Sequence, residues 1–311
     1  MKGFKNLGKI KKLYSRGGNI IQYLNKLNDS KSNKTEDILI SYDLQSGSYI
    51  KEVSKDNKFN QKYCGALAKV IDNISNVDSI LEVGVGEATT LSNLIVNLKE
   101  RPSKIFGFDI SWSRLKFAKN LLKDFKIHGV SLFVADLFKI PLLDNSIDVV
   151  YTSHSIEPNG GKEKEALEEL FRITKKYLIL LEPSFEFANN EGRSRMKSHG
   201  YVTELFKTAQ NLGYSIIEHR LFDYSNNPLN PTGIIIIKKD ATDFNNSDLI
   251  CPISNHKLFK HGESFLYSDD ASLAYPILED IPCLLSDNSI LATHLSTNYD
   301  DFKKTNKINF L

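Results

Sequence analysis

From residue 79 onward the chain alternates between two hydrophobic periods, and that alternation limits the folds open to it. "SILEVG" reads as a buried strand, and the helix after it sets Leu91, Leu94, Ile95 and Leu98 on one face at i, i+3, i+4, i+7 spacing. "KIFGFD" is the next strand, followed by a helix with Leu115, Ala118, Leu122 and Phe125 along one side. "VSLFVAD" and "SIDVVYTS" continue the series, then a helix carrying Leu167, Leu170 and Phe171, then "YLILLEP". Strands alternating with helices build a parallel sheet covered on both faces. "YVTELFKTAQNLGY" reads as one more helix, and "YSIIEHRLF" with "GIIIIKK", joined by the turn-rich "DYSNNPLNPT", as a terminal antiparallel hairpin.

The chain has 311 residues, of which 41% are apolar and 25% charged, enough for one domain of ordinary size and something smaller. Forty basic side chains against thirty-eight acidic ones leave a net charge of +2, so no global field draws the protein to nucleic acid. Cys64, Cys251 and Cys283 are too few and too scattered for a disulfide framework, which suits a reducing cytoplasm. No run of about 18 apolar residues occurs and "MKGFKNLGKIKKLY" lacks the apolar core of a signal peptide, so no transmembrane segment is expected.

Residues 1–30 read as a basic amphipathic helix, with Phe4, Leu7, Tyr14 and Ile21 among lysines. Such a helix either meets an anionic membrane surface or docks on its own domain or a partner, and docking is the favoured reading. Phe59, Tyr63, Leu67, Val70, Ile71 and Ile74 form the stripe of a clearer helix. Between them "SYDLQSGSYIKEV", with Tyr49, has the polar and aromatic make-up of a lid. After the polar linker "DATDFNNSD" a small module with short strands and proline turns begins near residue 241. The division is therefore 1–58 for the N-terminal helix and lid, 59–240 for the main domain and 241–311 for the module.

"ILEVGVGEATT" sits where the first strand meets the first helix of the sheet. Glycines there let the backbone pass close to a ligand, and the following helix presents free N–H groups, so a bound small molecule is implied. A dinucleotide and S-adenosylmethionine both suit a glycine turn followed by an acid, Asp109, at the end of the second strand. The dinucleotide fingerprint wants a third glycine where this chain has Thr89, and it does not explain Glu82 ahead of the glycines. Asp136 ends the third strand. Each acid has a plainer role open to it: a strand-end ion pair for Glu82, a helix cap for Asp109, a turn for Asp136. Three such acids on successive strand ends are improbable as coincidence.

On these residues, 79–239 resembles a class I S-adenosylmethionine-dependent methyltransferase. "EVGVGEA" matches the pattern acid-x-Gly-x-Gly-x-Gly with Ala88 in the last place, Asp109 matches the ribose-binding acid, and "ADLFKIPLLDNSIDVVYTSHSIEP" the segment from the adenine-contacting acid to the loop that closes the site. The resemblance implies a Rossmann-like seven-stranded α/β sheet with helices on both faces and the terminal hairpin, with N-terminal helices and the β-rich module added. It implies S-adenosylmethionine as cofactor, held by Glu82, Gly84, Gly86, Asp109, Ile110, Asp136, Leu137 and Ser153.

The loop after the fourth strand reads "SHSIEPNGG", without the Asn-Pro-Pro-Tyr type sequence that the family uses for planar amides and base amines. A hydroxyl or a non-planar small molecule is the expected acceptor. His154 is the candidate base, titrating near neutrality, or else a residue that merely holds the loop. Glu157 would orient it or bind substrate. Glu182, Glu186 and His199 are further acceptor-side candidates with Tyr49, and Arg193, Arg195 and Lys197, read as a loop in "RSRMKSHGY", either pair with a carboxylate or phosphate or are merely solvated. "KEKEALEEL" reads as a solvated helix face.

"CPIS…YPILEDIPCLL" resembles the small zinc-ribbon-like proteins that partner tRNA and protein methyltransferases, but Ser254 replaces the second cysteine and Asp280 the late glycine, so no zinc is expected. "SYDLQSGSYI", "EPNGG" and "RMKSHGYV" resemble methyltransferases of bacterial surface-glycan pathways, including those acting on nonulosonic acids such as legionaminic acid. The resemblances imply methylation of a sugar or nucleotide-activated sugar. The competing readings are a tRNA or protein methyltransferase and an inactive methyltransferase-fold partner protein. A second copy or a partner would be met through the N-terminal helix and the C-terminal module.

Overall fold

The computed structural model describes residues 2–30 and 32–308. Helices α1 (Lys2–Lys5), α2 (Leu7–Ser15), α3 (Ile20–Asn28), α4 (Thr35–Leu44), α5 (Ser48–Lys55) and α6 (Lys58–Asp72) precede the sheet. There follow β1 (Ser79–Val83), α7 (Thr89–Asn97), β2 (Lys104–Asp109), α8 (Trp112–Asp124), β3 (Val130–Val134), β4 (Ile147–Ser153), α9 (Glu163–Ile173) and β5 (Thr174–Pro183). Helices α10 (Asn190–His199) and α11 (Leu205–Asn211) lead into β6 (Ser215–Leu221) and β7 (Thr232–Lys238). The chain continues through β8 (Phe259–His261), β9 (Phe265–Ser268), β10 (Leu273–Leu278), β11 (Ile281–Pro282), β12 (Ile290–Leu291) and α12 (Tyr299–Thr305).

The main sheet has seven strands in the order β3-β2-β1-β4-β5-β7-β6. Strands β1 to β5 are parallel, and β7 inserts antiparallel between β5 and β6, as the hairpin reading expects. Every residue of β1 is buried, which is why its sequence runs apolar rather than alternating. One face of the sheet buries Leu67, Leu91 and Leu115 from α6, α7 and α8 against Ile80, Val149 and Tyr151. The other buries Leu167 and Leu170 of α9 against Leu81, Val150 and Leu180. Both faces are dry, so in a sheet of this kind a polar ligand binds at the strand ends.

The expected single helix over 1–30 is three helices, broken where Gly17 adopts φ +74°. They enclose a small apolar cluster of Ile10, Ile20, Leu24 and Ile40, so these side chains face one another and not a lipid surface. Asn33 fixes this bundle to the sheet domain: its side-chain amide donates to the carbonyls of Pro158 at 2.9 Å and His199 at 3.1 Å. No helix among the described residues is long and apolar enough to cross a membrane.

Residues 249–285 share the core of the main domain. Tyr275 and Leu284 are fully buried in the same cluster as Phe133 and Leu142, and Leu284 N donates to Val134 O at 2.8 Å, extending the sheet beside β3. Exposed ion pairs Lys116–Glu279 and Lys119–Asp280 flank this contact and add little to it. Cys251 is fully buried against the Tyr275 hydroxyl at 3.3 Å, and Ser254 Oγ lies 3.3 Å from Ser268 Oγ. Among the described residues no three histidines, cysteines or acids gather as metal ligands.

Two expectations about helices change. "RSRMKSHG" is not a loop but most of α10, because Asn189 caps it by accepting from Gly192 N at 2.8 Å and Gly200 ends it at φ +68°. "KEKEALEEL" is not purely solvated: Glu163 is buried and accepts from Thr203 N at 3.0 Å, and Glu169 accepts from Ile140 N at 2.6 Å.

Candidate functional site

The carboxyl ends of β1, β2, β3 and β4 open into a cleft of about 980 Å³, its solvent-open mouth included. Glu82, Gly84, Gly86, Asp109, Ile110, Asp136, Leu137 and Ser153 all line it, together with His154 and Tyr49. The sequence places these residues on four separate strand ends; the parallel topology brings those ends to one edge.

Gly84 has φ +65°, and a Cβ there would meet Ser155 Cβ at 2.4 Å, so only glycine lets the β1–α7 turn pass beneath the β4 loop. Ala88, in the third glycine's place, also has positive φ, +59°, and caps α7 from there. Its methyl is fully buried, so burial worth about 0.8 kcal/mol offsets much of a left-handed strain of roughly 1 kcal/mol.

Asp109 binds the turn from the neighbouring strand: Oδ2 accepts from Gly86 N at 3.0 Å and Oδ1 from Ser111 N at 2.8 Å. Burial pushes its pKa up, opposed by the charge of Arg114 and these amides. Glu82 is 2% exposed, and it meets the Tyr151 hydroxyl at 2.8 Å and the Leu91 backbone rather than a cation. Burial raises its pKa to about 8 despite that bond, with the charge of Asp109 adding to the rise. Asp136 Oδ1 accepts from Phe138 N at 3.0 Å, and Ser153 Oγ lies 3.0 Å from Tyr63 OH.

His154 sits at φ +55° at the end of β4, with Nδ1 2.8 Å from Glu157 Oε2 and Nε2 2.8 Å from Thr232 Oγ1. Burial lowers its pKa, but the Glu157 hydrogen bond and charge outweigh this and the net shift is upward. Glu157 Oε1 also accepts from Asn230 Nδ2 at 3.3 Å. Glu182 lies behind the loop, 3% exposed, and its oxygens accept the amides of Ser155, Ile156 and Glu157 at 3.0, 3.1 and 3.1 Å. That is how "SHSIEP" is held. Burial raises the Glu182 pKa to about 7, and the charge of His154 opposes the rise.

A second cavity, about 1300 Å³ with its open mouth, adjoins the cleft and shares Tyr42, Tyr49, His154 and Pro158 with it. Its walls come from the N-terminal helices (Tyr14, Asn19, Gln22, Asn25, Ser41, Gln45) and from Glu157, Ser198, His199 and Tyr201. Asn25 Oδ1 is buried there without a hydrogen-bond partner. Of the proposed acceptor-side residues, Tyr49 and His199 line this cavity. Arg193 instead donates to the carbonyls of Phe185 and Glu186, Arg195 lies over the Tyr201 ring, Lys197 over Phe185, and Glu186 is exposed. Neither these three cations nor Glu186 lines the cleft or this cavity.

Three residues that sequence reasoning passed over complete the site. Glu87 is 2% exposed and binds the lid: Oε1 accepts from Gly47 N and Oε2 from Ile50 N, both at 2.8 Å. Tyr42 and Arg114 line the cleft, the guanidinium 4.8 Å from the Tyr42 ring centroid and 4.7 Å from that of Tyr49. The position of Glu87 beside Gly86 and that of Tyr42 within "SYDLQSGSYIKEV" offered hints; Arg114 carries no local signal.

Residues 74–223 match the family model described as a methyltransferase domain. None of the curated proteins matches the chain. Among solved structures, an S-adenosylmethionine-dependent methyltransferase from Aquifex aeolicus is 18% identical, over 61% of this chain and 97% of that one, with a TM-score of 0.46. Magnesium protoporphyrin IX methyltransferase from Synechocystis is 15% identical, over 58% and 83%, with a TM-score of 0.45. A complex of the Haloferax volcanii Trm112 methyltransferase activator with a methyltransferase gives 14%, 63%, 98% and 0.49.

Residues 74–223 thus form a class I S-adenosylmethionine-dependent methyltransferase domain, and its cofactor is S-adenosylmethionine. The residues present fit that group. Glu82 offers a buried carboxyl that lacks a cationic partner, which an ammonium supplies. Asp109 spends one lone pair per oxygen on backbone amides and keeps the others for hydroxyls.

Proposed function

We propose that the protein transfers a methyl group from S-adenosylmethionine to a polyhydroxylated small molecule, a sugar or nucleotide-activated sugar such as a legionaminic-acid derivative, in bacterial surface-glycan synthesis. The second cavity is the observation that carries this reading. Its amide and hydroxyl lining (Asn19, Gln22, Asn25, Gln45, Ser41, Tyr14, Tyr201) offers many donors and acceptors, set beside an apolar share of similar extent from Ile20, Ile21, Pro158 and the tyrosine rings, which suits a ring that bears hydroxyls on an apolar frame. It also meets the cofactor cleft at His154, so a molecule filling it ends where methyl transfer takes place.

S-adenosylmethionine, when bound, supplies an electrophilic methyl group on a sulfonium. Glu82 would meet its ammonium, Asp109 its ribose hydroxyls, and Asp136 with Leu137 the edge of its base, while Gly84, Gly86, Ile110 and Ser153 shape the cleft. For a hydroxyl acceptor, His154 takes the proton and Glu157 stabilises the imidazolium it becomes. Thr232 already occupies Nε2, so a hydroxyl acceptor must displace that hydroxyl from the ring. An amidine nitrogen on the sugar makes no such demand. Glu182 positions the loop rather than touching the acceptor. Three free, buried cysteines suit a cytoplasmic setting.

The test is release of S-adenosylhomocysteine from the purified chain with S-adenosylmethionine and a panel of nucleotide sugars, sugar acids and bulk tRNA. Release at least tenfold above the acceptor-free rate with a sugar supports the reading. Release with tRNA alone overturns it.

A further inference from the structure

We infer that Arg114, clamped between Tyr42 and Tyr49, binds an anionic group of the acceptor, a carboxylate or a phosphate. This deepens the proposed function and rests on the second cavity being the acceptor site.

Arg114 is 6% exposed, lies in the first turn of α8 and lines the cleft. Its Nε and Nη2 are buried with no hydrogen-bond partner among the described residues. A guanidinium carries five N–H donors in a fixed fork, and leaving the three on Nε and Nη2 dry is costly unless a ligand meets them. Asp109 tempers the charge, while each of its oxygens accepts one backbone amide, Gly86 N or Ser111 N.

The clamp determines where the fork can reach. Two tyrosine faces at 4.8 and 4.7 Å hold the guanidinium plane by cation–π attraction. Both tyrosines line the cleft and the second cavity alike, so Arg114 stands at the seam between donor and acceptor spaces. Among the described residues, no other lysine or arginine lines either space. An acceptor that brings a carboxylate or phosphate to the seam has this one cation to meet, and a planar fork suits both groups bidentately.

The experiment is calorimetric titration of the full chain, saturated with S-adenosylhomocysteine, with inorganic pyrophosphate and separately with N-acetylneuraminate. The two probes distinguish a phosphate from a carboxylate as the group recognised. Arg114→Gln and Arg114→Lys are measured in parallel, with melting curves to confirm that both fold. The expected result is binding of at least one probe that Arg114→Gln weakens tenfold or more and Arg114→Lys weakens less, with every chain held saturated with S-adenosylhomocysteine. The inference is overturned by probes that bind Arg114→Gln as they bind the native chain, or by neither binding the native chain. A tenfold loss of S-adenosylhomocysteine affinity in Arg114→Gln also overturns it, since the fork would then serve the donor. Failure of the native chain to bind S-adenosylhomocysteine would instead strike the proposed function itself.

Discussion

Glu87 Oε1 lies 2.8 Å from the amide nitrogen of Gly47, and this contact joins the glycine turn of the cofactor cleft to the lid segment 40 residues earlier. The same carboxylate takes Ile50 N, so it caps the start of α5 from another part of the chain. The glycine turn and the start of α5 are thereby tied together.

Replacing Glu87 by Ala leaves two amides without that acceptor, a local loss of about 1–3 kcal/mol. Hydrogen exchange at Gly47 and Ile50 should accelerate tenfold or more, while the amides of β1 and β4 keep their protection. Unchanged exchange at both positions would show that the contact does not hold the lid.

Binding of S-adenosylmethionine should release a proton at pH 7. Glu82 titrates at about 8 in the ligand-free protein and is mostly protonated at neutrality, and an ammonium beside it favours the carboxylate. Affinity therefore rises with pH toward 8, then falls as the ligand's own α-amino group, with a pKa of about 8, loses its charge. Calorimetry in two buffers of different ionisation enthalpy measures the proton, and Glu82→Gln should abolish it.

The ligand-free protein should lose stability as pH rises from about 5 to 8. Glu82 and Glu182 have folded-state pKa values of about 8 and about 7 against an ordinary 4.5, and His154 is also raised, so the folded chain binds more protons than the unfolded one across this range. His219, lowered by burial, opposes with a single group. Melting temperature at pH 5.5 should exceed that at pH 8, and a flat profile would count against the buried carboxyls being protonated.

Glu157→Gln should bring the His154 pKa down, because the Glu157 carboxylate is the main group that outweighs burial of the ring. Imidazole proton shifts in an NMR titration report this directly. A methyltransferase whose acidic pH limb moves with that pKa uses His154 as the base; a limb that stays put assigns it to loop geometry.

Asp109→Ala should weaken S-adenosylmethionine binding by about 1–3 kcal/mol, through lost ribose contacts and through the loosened Gly86 amide. Titration at pH 7.5 checks it. Asp109→Asn keeps an acceptor for one amide and should fall between.

Sequence alone determined the sheet, because hydrophobic period and strand-end chemistry are local quantities. The five alternating units, the hairpin, Gly84, Gly86 and the acids at 82, 109 and 136 could all be read within windows of a dozen residues, and parallel topology then forces their ends together. The two departures from glycine, Ala88 and Asp280, both fall at positive φ, where the family pattern expects glycine for a steric reason. What the tertiary structure decided is everything carried by contacts between distant segments. The helices before residue 58 break at Gly17, wall the second cavity and press Tyr42 and Tyr49 onto Arg114, yet no period in their sequence points at the cleft. Cationic clusters such as Arg193, Arg195 and Lys197 attract the reader because charge is visible in a sequence; whether a charge faces a ligand depends on burial, which is not. Arg114 looks like an ordinary helix residue until two aromatic rings close over it and leave its donors dry.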